Sequence, residues 1–515
     1  MDDIAVAGNL VAQAQAAARI SPIERRKVDH KLLGLVIHGA GEEPIGSMLK
    51  HVMREFFPLI RARIDKEAGI ATKPVDEGDP AEVRIWFRDK HSRERYELRV
   101  FEVWWTRAFQ PPAFGECVLG LLGFLYSWLR NSERRAPIWP EWRYWGFALW
   151  QRIVVDVLVL LSLPFVVPLL VFLWLPESLT RRIVPKWLSA VHRWLINIVT
   201  RQLGDMLVYL GQPLEASRVR LRFEERFYEL MELMDQDPSK VDAVFIIAYS
   251  TGAVVSYEAL TGRQLTELIE EKFQAGRPAL HYITVGSGLN IAWEFAPEKE
   301  RFRFCRELAQ PVRWLDLWAG VDPVPRGAPR PPKKEDIGEE WQRKGSTAPV
   351  TKDVVNQTDV FSDHLTYWNN AEEVIAKILD TITSGQLSSD LQMNVTYRRR
   401  RVQFLALLKS LAWLAGPAVY ASLALSGGGQ WISEWAGGSF LGGDAWRRYF
   451  VSPILWSALG AAGAVMLYSS VVKWAWDLWD GKVKYGEPTP SKRPAAAPSP
   501  SSPSPQAPGT PGGGG

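Results

Sequence analysis

The chain has 515 residues, 47% of them hydrophobic, so it is long enough to bury a large core and to hold more than one region. Its formal net charge of +4 is small for this length, and the basic residues are dispersed or lie beside apolar segments, which gives little support to nucleic-acid binding. Cys117 and Cys305 are the only cysteines, which excludes a disulfide framework and fits a reducing compartment; the sequence also contains no cluster of metal-ligand residues.

The amino-terminal part of the chain predicts the first half of an α/β core. Residues 1–30 form an extension without the charged-then-apolar design of a secretion signal, so neither cleavage nor export is expected. A strand predicted at 32–37 ends in His38-Gly39-Ala40-Gly41, and a glycine-rich turn at this place can direct a backbone amide toward a substrate oxygen. We expect Ala40 to supply that amide, and His38 to order the turn rather than to act as a base.

A tryptophan-rich, apolar insertion is predicted at 106–200. The chain holds 24 tryptophans, many of them beside apolar runs, and such rings collect at the headgroup level of membranes. The run 153–175 is long enough to span a bilayer, and 113–129 is shorter. If both crossed as a hairpin, five arginines between them would lie outside with only two glutamates, contrary to the positive-inside rule. We therefore favour a re-entrant or interfacial insertion that reverses at Pro164 and Pro168.

The most informative motif follows a strand predicted at 243–248. That strand runs straight into Tyr249-Ser250-Thr251-Gly252 and then into a helix, which is the pattern of a nucleophile elbow. Ala248 stands where the usual pattern has glycine, and alanine fits there but tolerates less strain. An ordinary strand-to-helix loop is the alternative interpretation. If Ser250 is a nucleophile, the Thr251 amide is the second candidate donor to an oxyanion.

An activated serine needs a base and a carboxylate that orients the base. Asp322-Pro323-Val324 follows a predicted strand and supplies the candidate acid, although Asp-Pro is also a plain turn former. His364 is the only histidine downstream of Asp322, and its alternative role is that of a surface residue capping the next helix. Among the other acids, Asp316 would be buried in mid-strand, while Asp359 and Asp363 are too close to His364 to be typical partners.

The order Ser250, Asp322, His364 is the chain order of α/β-hydrolases. Over roughly residues 30–105 and 200–385 the sequence resembles the serine lipase and esterase branch of that superfamily. The two parts of the expected core are therefore 31–105 and 201–390. Four further stretches carry the resemblance: the helix-like 204–210, the strand and turn at 282–288, the tryptophan-rich strand before Asp322, and Asp363-His364 with Tyr367-Trp368.

This resemblance implies an α/β fold in which a mostly parallel sheet is covered on both faces. It also implies Ser250 as nucleophile, His364 as base, Asp322 as orienting acid, an oxyanion hole from Ala40 and Thr251, and no cofactor or metal. The predicted strands are 32–37, 83–88, 97–104, 243–248, 281–286 and 312–318, and the predicted helices are 45–66, 222–236, 254–274 and 368–384.

The carboxyl-terminal region predicts a transmembrane helical hairpin at 398–475. Its apolar runs, 404–425 and 451–472, are both long enough to span. Arginines at 398–401 precede the first run and three lysines follow the second, so the positive-inside rule places both ends, and the core joined to them, in the cytoplasm. Binding of an acidic partner or nucleic acid is the alternative for the arginines. The tail at 486–515, rich in Pro, Ser, Ala and Gly, is expected to be disordered.

Together these features predict an integral membrane serine hydrolase that takes a lipid ester, a phospholipid or an acylglycerol, from the bilayer. The insertion leaves the end of a sheet strand, where catalytic residues of open α/β sheets lie, so we expect it to act as both lid and membrane anchor. Acyl transfer, or cleavage of a thioester or peptide, shares the same acyl-enzyme and stays open, as does a non-enzymatic membrane scaffold. No oligomeric state is predicted.

Overall fold

A computed structural model gives the fold of the chain. It describes residues 28–40, 44–53, 56, 69–73, 81–88, 94–105, 204–238, 241–273, 278–295, 308–309, 311–319, 322, 324–325, 327–329, 349–356 and 363–383. All of these lie within 1–410, the first of two units into which the chain divides. Strands and helices alternate through most of this range, as the apolar patterns predict.

The described elements follow one another in a β-rich amino-terminal part and an alternating second part. The strands are β1 (His30–Ile37), β2 (Gly69–Lys73), β3 (Glu82–Arg88), β4 (Arg95–Val103), β5 (Val241–Tyr249), β6 (Ala279–Val285), β7 (Val312–Ala319) and β8 (Val350–Val354). The α-helices are α1 (Gly204–Gly211), α2 (Pro213–Gln236), α3 (Thr251–Leu260), α4 (Arg263–Lys272), α5 (Leu289–Phe295) and α6 (Ala376–Ile382). A 3₁₀ helix at His364–Asn369 and a π turn at Ala371–Ile375 lead into α6.

The eight strands form one sheet in the order β2-β3-β4-β1-β5-β6-β7-β8. β3 is antiparallel to both of its neighbours, and the other five strand pairs are parallel. The predicted mostly parallel α/β sheet is therefore confirmed. Strand β1 lies between β4 and β5. The next three strands in the chain, β2 to β4, lie on one side of β1, and the later strands, β5 to β8, lie on its other side. In open α/β sheets such a switch point, at the carboxyl ends of the strands, is where ligands bind.

Both faces of the sheet are covered, because alternate residues of each central strand point to opposite sides. On β1, Leu33 and Leu35 belong to a core with α1, α2, α3 and α5. Leu32 and Val36 belong to a second core on the other face, with the helical segment 47–53 and α6. Since β1 and β5 are buried on both faces, their sequences read as nearly continuous apolar runs.

The helices differ from the predictions in several places. The helix predicted at 368–384 is a π turn at Ala371–Ile375 followed by α6, and α5 was not predicted. The helix predicted at 254–274 is two helices. The first, α3, ends at Leu260, where the Thr261 hydroxyl bonds back to the Tyr257 carbonyl at 2.8 Å, and α4 begins at Arg263 with Gly262 as its N-cap. The helix predicted at 222–236 begins at Pro213, a residue that is favourable in the first turn.

The predicted membrane segments lie outside the described residues. These segments are 113–129 and 153–175 in the insertion, and 404–425 and 451–472 in the carboxyl-terminal hairpin. The amino-terminal extension and the tail at 486–515 lie outside as well, apart from residues 28–30. Within the described ranges, no helix has both the length and the apolar character needed to cross a bilayer.

Candidate active site

The site begins at Ser250, at the point where β5 turns into α3. Its backbone has φ 55° and ψ −123°, and among the described residues it is the only non-glycine with a positive φ. The conformation is held by backbone hydrogen bonds. The Ser250 amide donates to the Val285 carbonyl at 3.1 Å, and its carbonyl accepts from Ala253 and Gly288, each at 3.1 Å. A strained residue that is held on all sides at a strand-to-helix turn is what the elbow motif predicts.

Two glycines allow other backbone segments to approach this turn. A Cβ atom added at Gly252 would lie 2.5 Å from the His38 carbonyl oxygen, so α3 can pack against the end of β1 only without a side chain there. A Cβ atom added at Gly39 would lie 2.7 Å from Cβ of Ser250. The loop after β1 therefore runs directly beside the serine, as the sequence predicted for a loop that supplies an oxyanion donor.

Ser250, His364 and Asp322 form one hydrogen-bonded chain. His364 Nε2 lies 2.8 Å from Ser250 Oγ, and His364 Nδ1 lies 2.9 Å from Asp322 Oδ2. With its proton on Nδ1, the imidazole donates to the carboxylate and accepts from the serine hydroxyl, which is the arrangement a general base needs. The Asp322 side chain is fully buried, and Ser250 is 7% exposed.

The loop that carries Asp322 is fixed from three directions. Its Oδ1 accepts from the Val324 amide at 2.9 Å, and its Oδ2 accepts from the Tyr367 hydroxyl at 2.8 Å. Further along the loop, the Asn290 side chain on α5 donates to the carbonyls of Gly327 at 3.3 Å and Ala328 at 3.1 Å, and also to that of Pro325. The carboxylate therefore has little freedom to turn away from the histidine.

The turn that carries His364 is held by buried amides and by an aromatic ring. Asn356 donates to the Asp363 carbonyl at 2.7 Å, and Asn370 donates to Asn356 at 3.0 Å. The Tyr249 ring stacks on the His364 imidazole with 5.1 Å between centroids, and its hydroxyl donates to the His364 carbonyl. Tyr249 thus orients the His364 imidazole from the position directly before Ser250.

The loop after β1 is anchored at both ends. At its start, His38 Nδ1 donates to the Gly39 carbonyl at 2.6 Å, and the ring stacks on Trp105 with 5.0 Å between centroids. At its far end, the buried Glu102 carboxylate accepts from the amides of Gly46 and Met48 at the beginning of the helical segment 47–53. A carboxylate at a helix N-terminus is favourable there. These contacts fit the ordering role that the sequence predicts for His38.

The predicted oxyanion donors lie on the two elements that meet at Ser250. Ala40 follows Gly39 in the loop after β1, and Thr251 is the first residue of α3 and is 2% exposed. Their role stays a prediction. Of the other acids, Asp316 lies within β7 and accepts from Thr284 at 2.5 Å, and burial raises its pKa to about 7. Asp363 is buried beside His364, and Asp359 lies outside the described residues.

Several residues of the site were missed from the sequence. Asn290 and Glu102 act on partners 35 and 56 positions away, so no local spacing marks them. Tyr367 lies in a stretch that carries the resemblance, but its bond to Asp322, 45 positions away, was not predicted. Gly286 could have been found from the sequence, because it is the glycine at the turn of the strand-and-turn motif at 282–288. Its φ is +57°, and a Cβ atom there would lie 2.7 Å from the Tyr367 ring and 3.3 Å from Asp322 Oδ2.

Comparisons with protein-family models, with curated proteins and with solved structures find no match to this chain. What the site can do is therefore argued from its own geometry. Across the part of the chain that the structure describes, no group of three or more His, Cys, Asp or Glu side chains is arranged to hold a metal ion. The reactive groups of the described site are a serine hydroxyl, an imidazole and a carboxylate, joined by two hydrogen bonds.

Proposed function

We propose that this protein is a serine hydrolase of the α/β-hydrolase type that cleaves carboxyl esters of lipids at a membrane. The observation that carries the proposal is the continuous chain from Ser250 Oγ through His364 to Asp322, with separations of 2.8 and 2.9 Å, on a turn with a positive φ at the serine. A scaffold without activity has no need for a strained serine aligned with a histidine and a buried carboxylate. The geometry thus supports an enzyme over a scaffold.

The reaction follows from these contacts. Ser250 Oγ attacks the acyl carbonyl while His364 Nε2 takes its proton, and the Asp322 carboxylate stabilises the imidazolium through Nδ1. The tetrahedral oxygen is stabilised by the amides of Ala40 and Thr251, and loss of one such donor typically costs about 100- to 1000-fold in rate. His364 then protonates the leaving alcohol. Water, deprotonated by the same imidazole, releases the acyl group and restores Ser250.

A lipid substrate is supported by where the tryptophan-rich insertion joins the fold. Trp105 directly precedes the insertion, and its ring stacks on His38 in the loop beside Ser250. Helix α1 follows the insertion, and its Met206 Cε would lie 3.4 Å from a Cβ atom added at Gly288. Gly288 in turn donates to the Ser250 carbonyl. Both ends of the insertion are therefore next to the nucleophile.

This placement suits an insertion that connects the site to the bilayer. Residues 153–175 would lie in the membrane or at its surface, so an amphiphile could pass sideways from lipid to Ser250. A water-soluble ester would gain nothing from such a route. We propose a phospholipid or acylglycerol as the substrate, and a catalytic domain facing the cytoplasm with the hairpin at 398–475 as a second anchor.

The test compares two substrates and two proteins. Purified full-length protein is assayed for release of fatty acid from phospholipid and diacylglycerol vesicles, and for hydrolysis of a short p-nitrophenyl ester in solution. Ser250→Ala should lower both rates by at least about 10⁴-fold, because the triad acts as a unit. Retention of most activity in Ser250→Ala would refute the site. Activity on the short ester alone would refute the lipid assignment while leaving the serine hydrolase.

A further inference from the structure

The carboxylate of Asp322 is bound by two side chains, not by one. Its Oδ2 accepts from His364 Nδ1 at 2.9 Å and also from the Tyr367 hydroxyl at 2.8 Å. The Tyr367 oxygen itself accepts from the Ala319 amide, at the end of β7, at 2.7 Å. Tyr367 is fully buried. The hydroxyl therefore lies in a fixed chain of hydrogen bonds that begins on the backbone of β7 and ends on the carboxylate.

The local helix type explains how two residues reach one oxygen. His364 and Tyr367 are three positions apart in the 3₁₀ helix His364–Asn369. Such a helix has three residues per turn, so side chains at i and i+3 lie above one another. In the observed arrangement the two rings are 6.4 Å apart at 89°. An α-helix, with 3.6 residues per turn, would rotate the tyrosine away from the histidine by about 60°.

We propose that Tyr367 is a positioning residue of the triad, which holds Asp322 in place and moderates the strength with which its carboxylate attracts the imidazole proton. The proposal rests on the proposed function of Ser250 and His364. A donor on Oδ2 draws charge from the oxygen that faces His364 Nδ1. With this donor in place, the carboxylate attracts the imidazole proton less strongly than it would without the donor.

The charged and titratable groups around this pair fit that role. Asp322 faces Tyr367 from the loop after β7, and Asp363 lies next to it on the 3₁₀ turn. Tyr249 faces the imidazole from the nucleophile turn, and Ser250 meets its other nitrogen. Burial and then the Asp322 charge hold the pKa of Tyr367 well above its usual range. Tyr367 therefore keeps its proton and acts as a donor throughout the working pH range.

The experiment uses Tyr367→Phe in the full-length protein and measures the rate of fluorophosphonate labelling of Ser250 between pH 5 and 9. This rate depends on the base but requires no knowledge of the substrate. The labelling rate falls on the acidic side of its pH profile, and we call this part of the profile the acidic limb. Loss of the donor should move the midpoint of the acidic limb to higher pH by about 0.5 to 1 unit. It should also lower the maximal rate by about tenfold, because Asp322 loses a contact that holds it against His364. A tyrosine with only a packing role would leave the midpoint unchanged.

Tyr209→Phe is the matched control. The Tyr209 hydroxyl is also fully buried and donates to a carboxylate, Glu258 Oε2, at 2.6 Å, but on helices α1 and α3. This variant should keep the wild-type midpoint. Equal shifts in both variants, or no shift in Tyr367→Phe, would overturn the proposal. If wild-type Ser250 is not labelled at all, the proposed function fails instead.

A second substitution covers the case in which Tyr367→Phe does not fold. Replacement of Tyr367 by 3-fluorotyrosine keeps the ring and the hydroxyl but makes the hydroxyl a stronger donor. The acidic limb should then move to lower pH, opposite to the phenylalanine variant. A limb that stays in place, or moves to higher pH, would contradict the proposed role.

Discussion

The strain at Ser250 predicts an unusual ranking of variants at this position. Ser250→Ala and Ser250→Gly both remove the nucleophile, but only glycine can adopt φ 55° without a steric cost. A residue held in such a conformation costs about 1–3 kcal/mol. Against this, glycine lowers the stability by about 0.5–1 kcal/mol relative to alanine, because it gives the unfolded chain more conformational entropy. The glycine variant should therefore be the more stable of the two by about 1 kcal/mol.

Ser256 provides the matched pair, because it is fully buried in the interior of α3 with ordinary helical neighbours. There, Ser256→Gly should be less stable than Ser256→Ala by about 1 kcal/mol, so the sign of the difference is reversed. The assay is equilibrium unfolding in urea, followed by far-UV circular dichroism in detergent, with comparison restricted to variants of equal m-value. An alanine at 250 that is as stable as glycine would refute the strained elbow.

Three further predictions address the acid, the buried core and the membrane. Asp322→Asn should fold normally but turn over about 10⁴-fold more slowly, because the amide favours the wrong imidazole tautomer; a circular dichroism spectrum with a rate assay checks both. Since burial raises the pKa of Asp316 from 3.8 to about 7, wild-type stability should fall as pH rises from 4 to 7. In Asp316→Asn the unfolding free energy should not fall over this range, whereas in the wild type it should fall by up to about 4 kcal/mol. Unfolding free energies that change equally with pH in both proteins would contradict this prediction. A single cysteine at Ser132, in a protein without the native cysteines, should react with an impermeant maleimide only after permeabilisation; reaction in intact cells would establish a hairpin instead of a re-entrant insertion.

The central strands were predictable because burial on both faces leaves a plain signal. Predicted and observed ends of β1, β3, β4, β5, β6 and β7 agree within two residues. Strand β8 was missed since its residues are exposed or half-buried except for Val354, and edge strands need no continuous apolar run. Strand β2, at the opposite edge and also five residues long, was missed as well. The order of strands required the structure, because pairing joins segments far apart in the chain.

The sequence singled out the proposed nucleophile, acid and base for a different reason. A nucleophile elbow places fixed small residues around Ser250, and the chain offers one histidine after Asp322, so the residue types alone narrow the choice. The residues that support them follow no such rule. Glu102 and Tyr367 act over long sequence separations, and either could have been an ordinary core residue. Only the folded arrangement brings their oxygens to the site.

The most direct test of the account is the site of attachment of a fluorophosphonate probe. Full-length protein is labelled in detergent and in native membranes, digested, and the modified peptide is sequenced by mass spectrometry. We predict a single adduct on Ser250 that disappears in Ser250→Ala and in His364→Ala, while Tyr209→Phe keeps it. An adduct on another serine, or undiminished labelling of Ser250 in His364→Ala, would contradict the triad.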